Sequence, residues 1–454
     1  MERKSYQMDM SDGPLTRKML FFSIPLMLSG ILQLVFNAIN TIVVGKYVGS
    51  EALAAVGSTS SLIFLLTSLF LGLSVGSTVL TANFFGSKNE RDISETVHTS
   101  MAMGLVCGIG LMFVGILGAR PLLTLMGTPT DILDLAVLYM RVYFIGMPAI
   151  LTYNLGSAVL RAVGDTRRPL YYLLLSGVIN VLLNLLFVIA LHMSVAGSAL
   201  ATACSQTLSA LLVGLLLKKS EGPLQLQIRK IRISRQKLLG MLRIGLPAGV
   251  QGILFSLSNV LIQSSINSFG SVAIAGSTAA ANIEGFVTTS MNAFHQTTVS
   301  FTGQNYGARN YRRILRILLL ALGFNVIVGL TLGSGAYLFS HPLLGIYQSN
   351  DQAISFGAER MLYTCIPYFL LGLADVFVGL MRGLGYSMVP MMVSLVGICG
   401  LRIVWLFTIF PLQPTWAILF ISYPITWALT ALAQFVCSIA ILRRVKRQMT
   451  AAKQ

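Results

Sequence analysis

The chain has 454 residues, of which 55% are hydrophobic and 10% are charged, and its mean hydropathy is +0.77. Soluble domains carry about 25% charged residues, so the composition excludes an ordinary soluble protein and predicts a chain that crosses the bilayer many times. The formal net charge is +17, yet no basic stretch is interleaved with a globular aromatic surface, so we expect no nucleic-acid partner.

The apolar segments, taken in chain order, predict an all-α polytopic membrane protein. A helix needs about 20 apolar residues to cross a hydrocarbon core about 30 Å thick. On that rule we predict twelve transmembrane helices, at 18–44, 52–84, 92–118, 131–160, 168–191, 194–217, 238–266, 272–305, 313–340, 352–381, 388–411 and 415–442. Pro25, Pro148, Pro247 and Pro367 lie inside these spans and should bend them or free backbone carbonyls.

Lysine and arginine cluster in alternate loops and near both ends of the chain, where Arg3, Lys4 and Lys453 lie. The intervening loops hold only Lys46 and Arg120. Positive charge marks the cytoplasmic side of a membrane protein. Both termini are therefore predicted to be cytoplasmic, which agrees with an even number of spans.

The second half of the chain repeats the first at an offset of about 221 residues. The matches include Pro25, Gly30 and Asn37, which return as Pro247, Gly252 and Asn259. Each half holds six predicted spans, so both enter the membrane in the same sense, as a parallel repeat about a pseudo-two-fold axis along the membrane normal. We predict an N-terminal six-helix lobe (1–217), a solvated cytoplasmic linker (218–237), a C-terminal six-helix lobe (238–442) and a basic cytoplasmic tail (443–454).

Two carboxylates, Glu284 and Asp375, lie deep in predicted spans, whereas Asp134 and Glu359 lie nearer span ends. An ionisable group in hydrocarbon costs at least ~2.5 kcal/mol, so it usually faces a bundle interior or a water-filled cavity. There it can exchange a proton or bind a cation, or it can form a structural pair with an intramembrane arginine. The candidates for that pair are Arg141, Arg360 and Arg402.

Depth in the membrane suggests which charges meet. Counting the rise per residue, Glu284 lies ~18 Å and Arg402 ~13 Å from the outer ends of their spans, so these two side chains could pair. Asp375 lies ~10 Å from the cytoplasmic end of its span, too far from Arg402 to share it easily. Asp375 is thus the stronger candidate for ion coupling. Glu284 is either a second coupling group or the counter-ion of Arg402.

In each of spans 1, 5 and 7, amide side chains recur three or four residues apart. This spacing puts the amides of a span on one helix face, here called a stripe. At the repeat offset Asp375 corresponds to Asn154 and Glu284 to Ile63, so the first half has no acid at either position. The amides either bind one another across helices or line a cavity between the lobes. The candidate cavity residues are Gln33, Asn37, Asn40, Asn154, Asn180, Asn184, Asn259, Gln263 and Arg402.

The sequence contains no enzyme motif, neither H-E-x-x-H nor a Walker-type phosphate loop, so we predict no catalytic residue, no metal and no cofactor. His295 lies three turns from Glu284 on the same span. It could relay a proton or be a satisfied interior histidine. A transporter without a nucleotide site must draw energy from an ion gradient, so Na⁺ or H⁺ is the expected coupling ion.

The motifs together resemble the bacterial branches of the multidrug and toxic compound extrusion (MATE) family along nearly the whole chain. The resemblance rests on the P-x₄-G opening of spans 1 and 7, NTIVVGKYVGSEALAAVG (40–57), GQNYGA (303–308), LRAVGDTRRP (160–169) and MRGLGYSMVP (381–390). It implies two six-helix lobes around a central cavity in the cell membrane. It also implies export of cationic or amphipathic organic compounds in exchange for Na⁺ or H⁺.

The chain departs from the family pattern at its acids. The family commonly has an Asp where this chain has Asn40, and often pairs Asn with Asp where this chain has Asn180 and Asn184. One branch has acids at the positions of Phe255 and Leu371. The resemblance therefore leaves the first lobe without its coupling carboxylates, and we expect coupling in the second lobe.

Three alternatives to a drug exporter follow from the same features. A lipid-linked precursor flippase of the same wider superfamily would need a strongly basic cavity. A channel would need a repeated ring of charges, and a membrane enzyme would need clustered nucleophiles. We expect the protein to act as a monomer.

Overall fold

The computed structural model describes residues 7–451, so Arg3, Lys4 and Lys453, which support the topology prediction, lie outside the described residues. Within that range the regular elements are all helices. They are α1 (Leu15–Tyr47), α2 (Ser50–Gly86), α3 (Glu90–Leu125), α4 (Thr130–Ile145), α5 (Met147–Ala162), α6 (Arg167–Asn184), α7 (Ser194–Lys219), α8 (Arg235–Asn267), α9 (Ser271–Gly307), α10 (Tyr311–Leu338), α11 (Ser340–Gly345), α12 (Asp351–Thr364), α13 (Tyr368–Gly383), α14 (Met388–Ser394), α15 (Leu401–Thr408) and α16 (Trp416–Ala451).

Nine helical segments of the described chain are long and apolar enough to cross a membrane, and two bent pairs raise that number to as many as eleven. The pairs are α4 with α5, bent by 47°, and α12 with α13, bent by 46°. Helix α9 has 37 residues but is not among these segments. Serine, threonine and amide side chains, together with Glu284 and His295, lower its apolarity.

The two bends fall at prolines, as proline chemistry predicts. Pro148 occupies the first turn of α5, and Pro367 is the residue that caps the N-terminus of α13. Proline lacks a backbone N–H and cannot continue the hydrogen-bond ladder, so the helix breaks before it. Pro25 and Pro247 lie inside α1 and α8, which remain helical through them.

The chain forms two compact units, whose boundaries do not coincide with the predicted lobes. Unit 1 comprises Met1–Asp9 and Ile31–Val250. Unit 2 comprises Met10–Gly30 and Gln251–Gln454. Helices α1 and α8 therefore each contribute residues to both units. The predicted basic tail is a continuation of α16 as far as Ala451.

Inside unit 1, small residues let α2 and α8 pack at backbone distance. A Cβ added to Gly76 would strike the carbonyl of Met241, and one added to Gly72 would strike the backbone of Gly245 and Gly249. Close approach of this kind is how membrane helices gain packing energy without a hydrophobic driving force.

The segment 218–237 is not the fully solvated linker that its charge predicts. Leu224 and Leu226 are buried, with 2% and 7% of their surface exposed. Lys237 is also buried and forms an ion pair with Asp92. The prediction was wrong because composition reports the polarity of a segment but not the apolar surface against which its few leucines pack.

Candidate functional site

Glu284 lies in a fully satisfied polar cluster inside unit 2. The guanidinium of Arg360 donates to both carboxylate oxygens, from Nε to Oε1 at 2.9 Å and from Nη2 to Oε2 at 2.7 Å. Thr364 donates to Oε1 at 2.6 Å, and Arg360 Nη1 donates to Ser277 Oγ at 2.6 Å. This bidentate ion pair joins α9 to α12 and neutralises both charges.

The predicted pairing of Glu284 with Arg402 is wrong. Arg402 is 3% exposed and stacks on Tyr423, with its guanidinium carbon 3.9 Å from the ring centroid. The depth estimate compared heights only and assumed straight α-helices. A π-helical turn, Leu395–Gly400, immediately precedes Arg402 and changes the face on which the following residues lie.

Asp375 is the other deep acid, and the charge that acts on its carboxylate is the guanidinium of Arg382, which lies beyond ion-pair distance. The side chain is partly exposed, and among residues 7–451 no ion pair or side-chain hydrogen bond forms with it. Only its backbone carbonyl has a side-chain partner, His295 Nδ1, at 2.7 Å. Arg382, two turns further along α13, donates to Gln251 Oε1 at 2.8 Å.

Both ring nitrogens of His295 are occupied. Nδ1 meets the carbonyl of Asp375, and Nε2 lies 3.4 Å from Arg382 Nη1. A donor at Nδ1 and an acceptor at Nε2 correspond to a neutral imidazole. Glu284 has its own partners, so the geometry favours His295 as a connection between α9 and α13 over a relay to Glu284.

In unit 1 the amides of α1 and α6 bind one another, which is one of the two alternatives that their stripes left open. Asn184 Nδ2 donates to Asn40 Oδ1 at 2.6 Å and to Ser198 at 3.3 Å. Asn180 Nδ2 donates to Ser205 at 3.2 Å, and Thr202 lies 3.4 Å from the same atom. The carbonyl oxygens of Asn180 and Asn184 are buried without a hydrogen-bond partner in the described structure.

Asn40 and Asn180, but not Asn184, border a small cavity of about 60 Å³ in unit 1. It is lined by Gln33, Phe36, Asn37, Asn40, Leu173, Ser176, Gly177, Asn180, Thr202, Ser205 and Gln206. Asn154 lies elsewhere, donating to the carbonyl of Ile150. Asn259 and Gln263 are exposed on α8 in unit 2, where Gln263 donates to Asn267 at 2.9 Å. The structure thus brings together one subset of the predicted cavity residues.

Sequence reasoning missed a polar face on α9. Thr278, Asn282, Thr289, Asn292 and Gln296 recur at helical spacing on one side of the helix, and all five are exposed or partly exposed. The face is separate from the buried Glu284 cluster. The signal for this face is the recurrence of these polar residues at intervals of three, four and seven along the sequence. A membrane helix with such a face is expected to adjoin water or a polar solute.

Long apolar helices that carry buried amides and a deep carboxylate without an ion pair within 4 Å among residues 7–451 are typical of a multi-span membrane transporter. The MatE family model matches the chain twice, over residues 25–186 and 247–408. The chain belongs to the MATE family of membrane transporters, as the sequence motifs predicted.

Two relatives illustrate the range of the family. The probable multidrug resistance protein YoeA of Bacillus subtilis is 30% identical over 394 residues, covering 85% of each chain. The FAD transporter of Shewanella oneidensis is 25% identical over 369 residues, covering 80% of this chain and 81% of its own. Among solved structures, MATE in complex with MaL6 superposes with a TM-score of 0.91 at 22% identity, covering 98% of this chain and all of that one. At that identity the superposition establishes the fold alone.

Proposed function

We propose that the protein is a secondary active antiporter that exports cationic or amphipathic organic compounds in exchange for H⁺ or Na⁺. The names of its relatives support multidrug export. We further propose twelve spans in two parallel lobes with both termini cytoplasmic. In this arrangement each bent pair is one span, and α9, despite its polarity, is another.

The observation that carries the coupling proposal is that the Asp375 carboxylate forms no hydrogen bond and no ion pair within 4 Å among residues 7–451. An acid that must gain and lose a proton, or bind and release Na⁺, has to be reachable and free of a permanent counter-ion. Asp375 fits these conditions better than Glu284, because it is partly exposed and no ion pair within 4 Å holds it among the described residues; the Arg382 guanidinium acts on it only at longer range. Glu284 meets neither, because Arg360 and Thr364 occupy its oxygens.

The amides of unit 1 differ from Asp375 in the coupling ion that they can bind. Asn40, Asn180 and Asn184 cannot titrate, so their cavity is not suited to carry a proton. Their neutral oxygens are ligands that Na⁺ accepts, and two of them are buried without a partner in the described structure. We therefore place the indispensable coupling step at Asp375 and give the amide site at most an auxiliary Na⁺ role.

The polar face of α9 offers contacts for an amphipathic substrate. Amides at Asn282, Asn292 and Gln296 can hydrogen-bond a substrate without fixing one geometry, as a transporter of varied compounds requires. Asn259 and Gln263 on α8 are further exposed amides of unit 2.

The test is transport in sealed proteoliposomes with imposed H⁺ or Na⁺ gradients and a fluorescent organic cation. Asp375→Asn should abolish gradient-driven transport and retain the fold. Asn40→Ala, the matched change in unit 1, should reduce transport less. Equal losses in the two variants would remove the assignment of coupling to unit 2. An absence of any gradient dependence in the unmodified protein would remove the antiporter proposal.

A second candidate substrate class is an organic anion. One relative is named an FAD transporter. Gradient-driven uptake of FAD in the same vesicles, with no uptake of the organic cation, would favour this class.

The flippase alternative is not favoured, because the strongly basic cavity that it requires does not form from the three candidate arginines. Arg360 is neutralised by Glu284, Arg402 is covered by Tyr423, and Arg141 is exposed.

A further inference from the structure

The linker 218–237 is held against the N-terminal turns of α3 by hydrogen bonds from its backbone. Gln227 N donates to His98 Nε2 at 3.1 Å, and Ser234 N donates to Thr99 Oγ1 at 3.2 Å. Leu226 N donates to the carbonyl of Leu217, in the last turn of α7, at 2.9 Å. A segment fixed at these points presents its remaining side chains in a defined arrangement.

The fixed linker and α3 enclose a basic cavity of about 300 Å³. Three cations line it, Arg229, Lys230 and Arg232. The hydroxyls of Ser94 and Ser234 also line it. The one acid in the lining, Glu95, forms an ion pair with Arg91 at 3.2 Å. Three positive charges and two hydroxyls are the groups that bind a phosphate ester.

Isoleucines alternate with those cations on the same short segment. Ile228, Ile231 and Ile233 are 64%, 39% and 41% exposed. A water-soluble phosphate compound would give these side chains no apolar partner. The headgroup and acyl boundary of a bilayer would bind the isoleucines and the cations together, since apolar and basic residues side by side are the pattern of interfacial segments.

We propose that the docked linker is a binding site for an anionic phospholipid of the adjacent leaflet. The headgroup phosphate would lie among Arg229, Lys230 and Arg232, with the isoleucines in the acyl boundary. This site is separate from the transport residues, and it does not depend on which ion or substrate the protein carries.

The basic end of α16 provides a matched control. Arg443, Lys446 and Arg447 carry the same number of positive charges along a more open groove. If charge alone bound lipid, removal of these three side chains would have the same effect as removal of the linker cations. The proposal requires removal of the linker cations to weaken lipid binding more than removal of the α16 cations does.

The experiment measures lipid binding to the full chain in detergent by native mass spectrometry. The probes are phosphatidylglycerol, phosphatidylcholine and free glycerol 1-phosphate. Combined Arg229→Ala, Lys230→Ala and Arg232→Ala should weaken phosphatidylglycerol binding by on the order of a hundredfold, given the attraction of each cation to an anionic membrane surface. Combined Arg443→Ala, Lys446→Ala and Arg447→Ala should change it little.

A second variant separates a lipid from a soluble phosphate. Combined Ile228→Ser, Ile231→Ser and Ile233→Ser keeps every charge and should weaken phosphatidylglycerol binding while leaving any binding of glycerol 1-phosphate unchanged. The proposal is overturned if phosphatidylcholine binds as well as phosphatidylglycerol or if the α16 variant loses as much binding as the linker variant. It is also overturned if the serine variant binds phosphatidylglycerol as tightly as the unmodified protein.

Discussion

Arg360 binds Glu284 through both oxygens of its carboxylate, across the interface between α12 and α9. The guanidinium also lies over the ring of Phe420, 5.2 Å from the ring centroid. Burial makes each charge costly alone, but the pair with its hydroxyl partners is satisfied. The most conspicuous acid in the sequence is therefore a structural connection, and coupling is proposed for the less conspicuous Asp375.

Replacing Glu284 with glutamine should destabilise unit 2. The change leaves the Arg360 guanidinium buried beside a neutral group, which typically costs about 3–5 kcal/mol. Thermal unfolding in detergent would measure the loss as a lower midpoint. The control is Asp134→Asn, which removes an exposed pair with Arg120 and should cost less than about 1 kcal/mol. Equal shifts for the two variants would contradict the structural role of the buried pair.

Replacing both Glu284 and Arg360 should destabilise the protein less than replacing Glu284 alone. The double variant Glu284→Met, Arg360→Met removes the uncompensated charge and fills similar volume, so much of the lost stability should return. A double variant no more stable than Glu284→Gln would show that the remaining partners, Ser277 and Thr364, depend on the ion pair.

Valine at Gly76 should separate α2 from α8. Its side chain would occupy the space now filled by the backbone of Met241, which cannot move as a flexible side chain can. We expect a loss of about 1–3 kcal/mol or more, the usual cost of overpacking, and a reduced yield of folded protein. Gly110→Val is the matched control, because a Cβ there meets nothing within 4 Å. Similar melting curves for the two variants would argue against a close α2–α8 contact.

Alanine at Asn184 should loosen the amide cluster of unit 1. The change removes the hydrogen bonds to Asn40 and Ser198 in a buried position, at an expected cost of about 1–3 kcal/mol. Asn37→Ala, at an exposed position on the cavity that Asn40 also lines, should cost less than about 0.5 kcal/mol. Unfolding midpoints would distinguish the two, and a larger effect at Asn37 would be inconsistent with the observed bonding.

Replacing His98 with leucine should weaken the attachment of the linker to α3. Gln227 N would lose its acceptor, and the segment that contains Arg229 and Lys230 would open more often. Limited digestion with trypsin should cut the linker several-fold faster in His98→Leu than in the unmodified protein. His341→Leu, which changes an exposed histidine, should leave the rate unchanged. An unaltered linker rate in His98→Leu would indicate that Leu224 and Leu226 hold the segment without this bond.

Much of the architecture followed from the sequence. Apolar segments of the required length predicted the helices. Of the four prolines expected to bend or loosen spans, Pro148 and Pro367 lie at the two breaks, whereas Pro25 and Pro247 lie inside continuous helices. The repeat and its motifs indicated the family. The i, i+4 spacing of Asn180 and Asn184 predicted that they share a helix face, and the structure alone showed that Asn184 on this face binds Asn40.

The sequence by itself determined that this is an all-helical membrane transporter with two acids inside its spans, because hydrophobicity, proline geometry and charge cost are local properties of the chain. Only the tertiary structure decided that Arg360, not Arg402, neutralises Glu284, that Asp375 has no ion-pair partner among the described residues, and that the basic linker is docked. Partner choice depends on which helix faces meet. A π-helical turn before Arg402 changes the face on which that residue lies, in a way that residue spacing does not encode.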